Sequence, residues 1–293
     1  MKPFDFSCKH DVMIRNKDGS YSHMDEPYFE TELVAPRTWK ILSDGDFSYL
    51  VEGDNEAIVI DSGYGCGNIR EYCQTLTDKP VYRIANTHEH FDHTANNGRF
   101  EYAMMSEKAE PLATIPFPSF EGIYFPRDYK KVILHEGDII DLGGRELEVF
   151  EVPCHAQGSL AFLDRKGRML FCGDEFGAMC NIVGSVAQLE KNILKMMKYR
   201  SEFDYLASGP DFVPAEFLEK NLGAAQSVLN GAVGFEPQMG FARKPTTDLP
   251  EGTKVYNRQR AHAEDLPKHA PGSRMMFEYE GCRLQYDPTK IWE

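Results

Sequence analysis

The sequence predicts an α/β (or α+β) fold, and three observations support this class. Short runs of β-branched and aromatic residues between positions 39 and 63 alternate with Asp-Gly and Gly-Asp-Asn signals, which is typical of a strand meander. The run GNIREYCQTL then has apolar residues at helical spacing, and VYRIAN returns to a strand. A second meander over residues 138–176 is again followed by amphipathic segments. Strands and helices in this succession favour layers of helices packed on sheets.

The chain divides into three predicted segments. Residues 1–35 are polar and aperiodic and are interpreted as an N-terminal arm, and residues 36–230 form the core. Residues 231–293 are an extension that closes with a β-hairpin packed on the core, because MMFEYEGCRLQYD has a turn signal at its Glu-Gly pair. Within the core, residues 111–129 are rich in proline and aromatic residues and have no clear period. A loop of this length is expected to be functional and to shape a pocket.

Helices are predicted over residues 185–199 and 214–230, on either side of a strand at 203–208. Seven cysteines occur without C-x-x-C spacing, and we expect them to be buried or idle free thiols.

Composition and charge restrict the partners. Asp and Glu total 46 against 32 Lys and Arg, and the net charge is −14. Nucleic acids and anionic membranes are bound by clustered basic side chains, so neither is expected as a partner. The sequence has no signal-peptide pattern at its start and no apolar run long enough to cross a membrane. We therefore expect a soluble, cytoplasmic protein with a small-molecule substrate, and the sequence leaves a homo-oligomer open.

The stretch THEHFDH, at residues 87–93, carries the strongest chemical signal. It contains three of the nine histidines and follows a predicted buried strand. Imidazole nitrogen and carboxylate oxygen are ligands for zinc and similar divalent metals. Residues two apart point to the same side of an extended segment, so His88 and His90 can share one metal while Asp92 and His93 turn toward a second. A set of surface histidines in a polar loop is the alternative, and the dense spacing after a strand disfavours it.

Five stretches follow one another between about residues 38 and 215: IVIDSGYG, NTHEHFDHTANN, VPCHAQGSLAFLD, LFCGDEF and ASGPDF. In their order and intervals they resemble the metallo-β-lactamase fold superfamily, and the second stretch is the specific one. The resemblance implies a four-layer αβ/βα sandwich and one or two divalent metal ions, zinc first, with iron or manganese as the alternatives.

The resemblance also assigns ligands. His88, His90 and His155 would hold the first metal, Asp92 and His93 the second, and Asp174 would bridge both. Asp61 resembles the structural acid that orients the metal-binding loop and is not itself a ligand.

Two departures from the family pattern matter. Asp174 stands where the lactamases proper tend to carry cysteine or serine, so the sequence is more similar to the glyoxalase II, lactonase and alkylsulfatase branches. The last histidine of the pattern is expected at Pro210, which cannot ligate a metal. Three outcomes are left: Asp211 replaces the histidine, His262 or His269 folds back, or the second site is weak or empty.

The expected function is metal-dependent hydrolysis of a small ester, thioester, lactone or amide. Metal-bound hydroxide would attack the carbonyl, and Asp92 or a metal-bound water would protonate the leaving group. The phenols of Tyr64, Tyr124 and Tyr129 are candidates for binding the substrate oxyanion. One alternative is a one-iron oxidoreductase resembling the persulfide dioxygenases. The other is a non-catalytic binding protein on a degenerate fold, which the six intact ligand candidates disfavour.

Overall fold

The structure, a computed structural model, describes residues 12–15, 20–23, 29–43, 46–65, 67–116, 125–237, 254–257, 270 and 272–292. Strands and helices in these ranges are numbered in chain order. A small sheet consists of β1 (Val12–Arg15), β2 (Tyr21–His23) and β17 (Lys254–Asn257), with β1 in the middle. In the described part of the chain, no helix is long and apolar enough to cross a membrane.

The first large sheet has seven strands in sequential order. They are β3 (Glu30–Ala35), β4 (Thr38–Ser43), β5 (Asp46–Glu52), β6 (Ala57–Ile60), β7 (Val81–Ala85), β8 (Tyr102–Ser106) and β9 (Lys130–Leu134). Strands β3 to β6 are antiparallel, and β6 to β9 are parallel. All four side chains of β6 are buried, as expected for a parallel strand that is covered on both faces.

The second large sheet has six strands and is mostly antiparallel. In spatial order they are β10 (Ile139–Asp141), β11 (Glu146–Glu151), β12 (Leu160–Asp164), β13 (Met169–Gly173), β15 (Tyr205–Ser208) and β16 (Phe212–Pro214). Only β13 and β15 pair in parallel, and the chain between them includes α3 (Val186–Met197). A second small sheet places β14 (Met179–Asn181) and β18 (Met275–Tyr279) on either side of β19 (Cys282–Tyr286).

Three hydrophobic clusters define four layers. One cluster lies between the two large sheets and includes Val51 and Phe162. A second joins the other face of the first sheet to α1 (Ile69–Gln74). The third joins the other face of the second sheet to α3, to α4 (Phe217–Leu229) and to β19. The order helix, sheet, sheet, helix is the αβ/βα sandwich that the family resemblance implied.

Some boundaries differ from the predictions for physical reasons. Strand β3 lies inside the predicted arm, but it pairs with β4 and forms the edge of the first sheet. Its side chains are mostly exposed or half-buried, so the segment has no hydrophobic alternation to reveal the strand. Helix α4 begins at Phe217 rather than Pro214, because Phe212–Pro214 pairs with β15. The five described cysteines that are free are buried, as predicted; they are Cys73, Cys154, Cys172, Cys180 and Cys282.

The two large sheets are joined by a buried arginine in the turn between β10 and β11. Arg145 is 3% exposed and pairs with the fully buried carboxylate of Asp164. Its guanidinium also donates to the carbonyl oxygens of Arg37 (2.9 Å) and Glu52 (3.2 Å) and to the hydroxyl of Thr38 (2.5 Å). The charge is therefore satisfied from both sheets at once, as a buried ion must be.

We expect Arg145→Ala to lower the free energy of unfolding by about 3–5 kcal/mol, because it leaves the Asp164 carboxylate buried without its partner. Arg165→Ala is the matched control: Arg165 pairs with Glu148 and Glu202, and its side chain is 47% exposed. Loss of these two solvent-accessible pairs should cost about 1 kcal/mol or less. Urea denaturation of the two variants measures both values, and equal losses would contradict the bridging role of Arg145.

Candidate metal centre

The candidate site lies where strand ends of the two large sheets meet. Asp61 follows β6 directly, and His88 lies three residues beyond β7 in the same sheet. Asp174 follows β13, and Gly209 follows β15, in the other sheet. The carboxyl ends of parallel strands form a crevice that commonly holds functional groups in α/β folds.

The motif at residues 87–93 changes conformation at its centre. His88 to His90 run through an irregular turn, and a one-turn helix, α2 (Phe91–Thr94), then begins. Phe91 is 1% exposed, and its ring packs edge-on against Phe125 at 4.7 Å. Phe91 thus anchors the start of α2, the helix that carries Asp92 and His93.

Three imidazoles converge on one point. His88 Nε2 and His155 Nε2 each lie 3.0 Å from His90 Nδ1. His88 is 1% exposed and His155 is 6% exposed, so little water reaches these nitrogens. A single shared proton cannot satisfy all three nitrogens, whereas one cation with imidazole ligands does.

Hydrogen bonds at the far nitrogens hold these rings in the ligand form. His155 Nδ1 donates to the Asn181 carbonyl oxygen at 2.6 Å, which can only accept. His88 Nδ1 lies 3.1 Å from the Thr87 hydroxyl, and that hydroxyl donates to Asp61 Oδ2 at 2.7 Å. The Nε2 atom of each ring is thereby left as a lone-pair donor that faces the cluster, the arrangement typical of metal-ligating histidines.

Asp61 serves as the acceptor that organises the loop. Its carboxylate accepts hydrogen bonds from the Thr87 amide (2.8 Å), the Thr87 hydroxyl (2.7 Å) and His93 Nδ1 (2.9 Å). It is 3% exposed and adopts a positive φ of 58°. Both carboxylate oxygens are engaged with the loop, so Asp61 is placed to orient the loop and offers no free oxygen to the cluster.

A second group of ligand atoms surrounds His93. His93 is fully buried, and its Nε2 lies 3.4 Å from Asp174 Oδ1 and 3.9 Å from Asp92 Oδ2. Among the described residues, His93 Nε2, Asp174 Oδ1 and Asp92 Oδ1 are buried atoms without a hydrogen-bond partner. Buried polar atoms are rarely left unpaired. A divalent cation fits this donor set, because it would satisfy all three atoms together.

The electrostatics of the two groups differ. Burial, with the neighbouring histidines, lowers the pKa of His88, and burial and His155 lower the pKa of His90 to about 4. These rings are therefore neutral at pH 7, as metal ligands must be. Burial also lowers the pKa of His93, but Asp61, Asp174 and Asp92 together raise it well above its usual value. The acidic side of the site thus attracts positive charge.

The structure adds one acid that sequence reasoning missed. Asp46, the first residue of β5, offers a carboxylate oxygen within 4.8 Å of ligand atoms of Asp92 and His93. It is 8% exposed; burial, followed by the charges of Asp92 and Asp174, raises its pKa to about 8. In the sequence this acid directly follows the turn signal Asp44-Gly45, and no spacing connects it to the motif.

The tyrosine candidates have different positions. The hydroxyl of Tyr64 donates to Asp92 Oδ2 at 3.3 Å, at the site. Tyr129 is 5% exposed, and its hydroxyl is hydrogen-bonded to Asn97 (3.1 Å) and Thr114 (2.9 Å). Tyr124, like His262 and His269, lies outside the described residues.

Asp211, the predicted replacement ligand, is not brought to the cluster. Its Oδ1 accepts from the Ser208 hydroxyl at 2.9 Å, and its Oδ2 accepts from the Ala178 amide at 2.9 Å. The other predicted ligands, His88, His90, Asp92, His93, His155 and Asp174, all lie in the groups described above.

Residues 44–212, more than half of the chain, match the family described as the metallo-beta-lactamase superfamily. The chain belongs to this superfamily, which confirms the resemblance that the motifs predicted. A metallo-beta-lactamase from Pontibacter korlensis has the same fold, with a TM-score of 0.54 and 16% identity over 68% of this chain and 99% of that chain.

The curated relatives that this chain matches are enzymes. The acyl-coenzyme A thioesterase MBLAC2 of Homo sapiens is 31% identical over 43% of this chain and 56% of its own length. The hydroxyacylglutathione hydrolase of Aeromonas hydrophila is 30% identical over 52% of this chain and 56% of its own length. The chain thus spans little more than half the length of either relative.

We expect Asp61→Asn to weaken metal binding by about 10–100-fold, the usual effect of losing an orienting acceptor. The asparagine amide keeps the size of the side chain, but its N–H group would face a Thr87 or His93 donor that needs an acceptor. Asp211→Asn, the same change at a carboxylate outside the cluster, should leave the affinity unchanged. Competition with a chromophoric chelator measures both, and an unchanged affinity in Asp61→Asn would contradict the orienting role.

Proposed function

We propose that the protein is a metal-dependent hydrolase of a small ester, thioester, lactone or amide, acting in the cytoplasm. The observation that carries this proposal is the convergence of three buried imidazole nitrogens beside a second group of unpaired acid and imidazole atoms. Such a set has no use in a structural core, since neutral apolar side chains would fill the same space without unpaired atoms.

Among these substrates, a thioester is the first candidate. Two relatives are named for the hydrolysis of acyl-coenzyme A and of hydroxyacylglutathione. The net charge of −14 and the lack of basic clusters support a small molecule rather than a nucleic acid.

His88, His90 and His155 would hold one ion, while His93, Asp92 and Asp174 face the other position. A divalent ion supplies a Lewis acid for the substrate carbonyl oxygen and a water molecule of lowered pKa. We propose zinc first, with iron or manganese as alternatives, because imidazole and carboxylate suit all three.

The protein's own contribution to proton transfer centres on Asp92. Its side chain is 15% exposed, so it combines burial with access to the crevice. Oδ2 accepts a hydrogen bond from Tyr64, which fixes the carboxylate plane. Oδ1 has no hydrogen-bond partner and would face the metal. Oδ2 would then be the oxygen that takes a proton from water and passes it to the leaving group.

A one-iron oxidoreductase accounts for less of the site. Two histidines and an acid would suffice for such a centre, and the buried atoms around His93 would then have no role. Hydrolysis uses both groups of ligand atoms and is therefore the function that the geometry supports better.

Removal of metal with a chelator should lower the melting temperature and abolish hydrolysis together, because bound metal stabilises only the folded chain. Calorimetry and a panel of thioesters, esters, lactones and amides measure the two effects, and added metal should restore both. Full hydrolysis in a verified metal-free sample would contradict the proposal.

His155→Ala should lose metal and turnover, because it removes one of the three converging nitrogens. His135→Ala is the matched control, since His135 is exposed and lies outside the cluster. The control should keep the metal content and turnover of the unmodified protein. Elemental analysis and the same hydrolysis assays measure the two properties. Unchanged metal content and turnover in His155→Ala would show that His155 is not the third imidazole.

A further inference from the structure

We propose that Asp46 is a ligand of the second metal position and takes the place of the imidazole that the turn after β15 does not supply. This inference rests on the proposed metal-dependent function. It assigns a role to a residue that lies 41 positions before the motif and has no part in the predicted ligand set.

Gly209 and Pro210, the first two residues of the turn after β15, supply no side-chain ligand. A Cβ atom at Gly209 would lie 2.5 Å from Asp174 Oδ1 and 2.7 Å from His93 Cε1, so no side chain can start there. Pro210 carries no donor atom. The backbone of this turn therefore touches the second group of ligand atoms but contributes none.

Asp211 cannot fill the place without breaking its own contacts. Its two oxygens hold the Ser208 hydroxyl and the Ala178 amide. A Cβ on Gly177 would also lie 2.7 Å from Asp211 Oδ1, so the carboxylate is closely packed where it is.

The same turn holds Asp46 at the site. The Phe47 amide donates to the Gly209 carbonyl oxygen at 2.7 Å, which fixes the backbone next to Asp46. The Tyr49 hydroxyl donates to the Ser208 carbonyl oxygen at 2.7 Å, two residues further along β5. Strand β5 is therefore attached at two points to the turn from which the histidine is missing.

The residues that would share the ion with Asp46 have buried polar atoms that are not hydrogen-bonded. His93 is fully buried, and its Nε2 has no hydrogen-bond partner among the described residues. Asp92 Oδ1 is also buried and has no hydrogen-bond partner among the described residues. One oxygen of Asp46 lies within 4.8 Å of ligand atoms of both residues, so the three side chains surround a common point.

This ligand set defines the kind of ion. With Asp46, the second position has three carboxylates, from Asp46, Asp92 and Asp174, and one imidazole, from His93. Carboxylate oxygen suits harder ions such as manganese or iron(II) better than an imidazole does. The first position keeps its three imidazoles, so the two positions should differ in metal preference.

The test is a metal titration of the full-length, metal-free protein with zinc or manganese, followed by calorimetry and elemental analysis. The unmodified protein should bind two ions per chain. Asp46→Asn should keep the first ion and weaken the second by at least about tenfold, since loss of a ligand should cost no less than loss of an orienting partner. Asp211→Asn is the matched control and should keep both ions.

Asp46→His supplies an imidazole in place of the carboxylate. It should retain two ions and shift the ratio of zinc to manganese affinity at the second position toward zinc. Melting of the metal-free variants checks that each one folds, and the neutral Asn variant should melt no lower than the unmodified chain.

Three results would overturn the inference: a second ion bound by Asp46→Asn with unchanged affinity, only one ion bound by the unmodified protein, or loss of both ions in Asp46→Asn. Each of these is distinct from failure of the proposed function. That failure would be a protein that binds no metal, or binds metal and hydrolyses none of the four substrate classes.

Discussion

The site depends on one constraint: buried lone pairs and carboxylates of like polarity must share a positive charge. Three imidazole nitrogens meet at 3.0 Å contacts, and the atoms around His93 are buried without hydrogen-bond partners. The buried set would be unfavourable in a core that held no cation. The surrounding structure holds these groups together although their burial without a cation is unfavourable.

Hydrogen bonds and small residues provide the support. Asp61 and the Asn181 carbonyl hold the far nitrogens of two rings, so their near nitrogens remain available. Gly173, with φ 52°, is needed because a Cβ atom there would lie 2.3 Å from the Thr87 hydroxyl oxygen. Gly209 leaves the space beside Asp174 in the same way. The parallel strand ends bring these elements to one crevice, since each turn starts at the same edge of its sheet.

The sequence predicted what depends on local pattern. The motif at 87–93, the layered fold and the helix capped by Ser185 all have short-range signals, such as ligand spacing, hydrophobic period and an N-cap. Asp46 has none, because its role follows from pairing between β4 and β5 and from the hydrogen bond between Phe47 and Gly209. Tyr129 had the right chemistry, but the partners that occupy its hydroxyl come from distant parts of the chain. Long-range contacts of this kind are decided by packing.

Anomalous X-ray scattering from crystals grown with manganese or zinc is the most direct measurement of the central claim. The account predicts one ion about 2.0–2.1 Å from His88 Nε2, His90 Nδ1 and His155 Nε2. A second ion should lie next to His93 Nε2, with carboxylate oxygens around it. Anomalous peaks elsewhere on the chain, with none at the three imidazoles under saturating metal, would contradict the account.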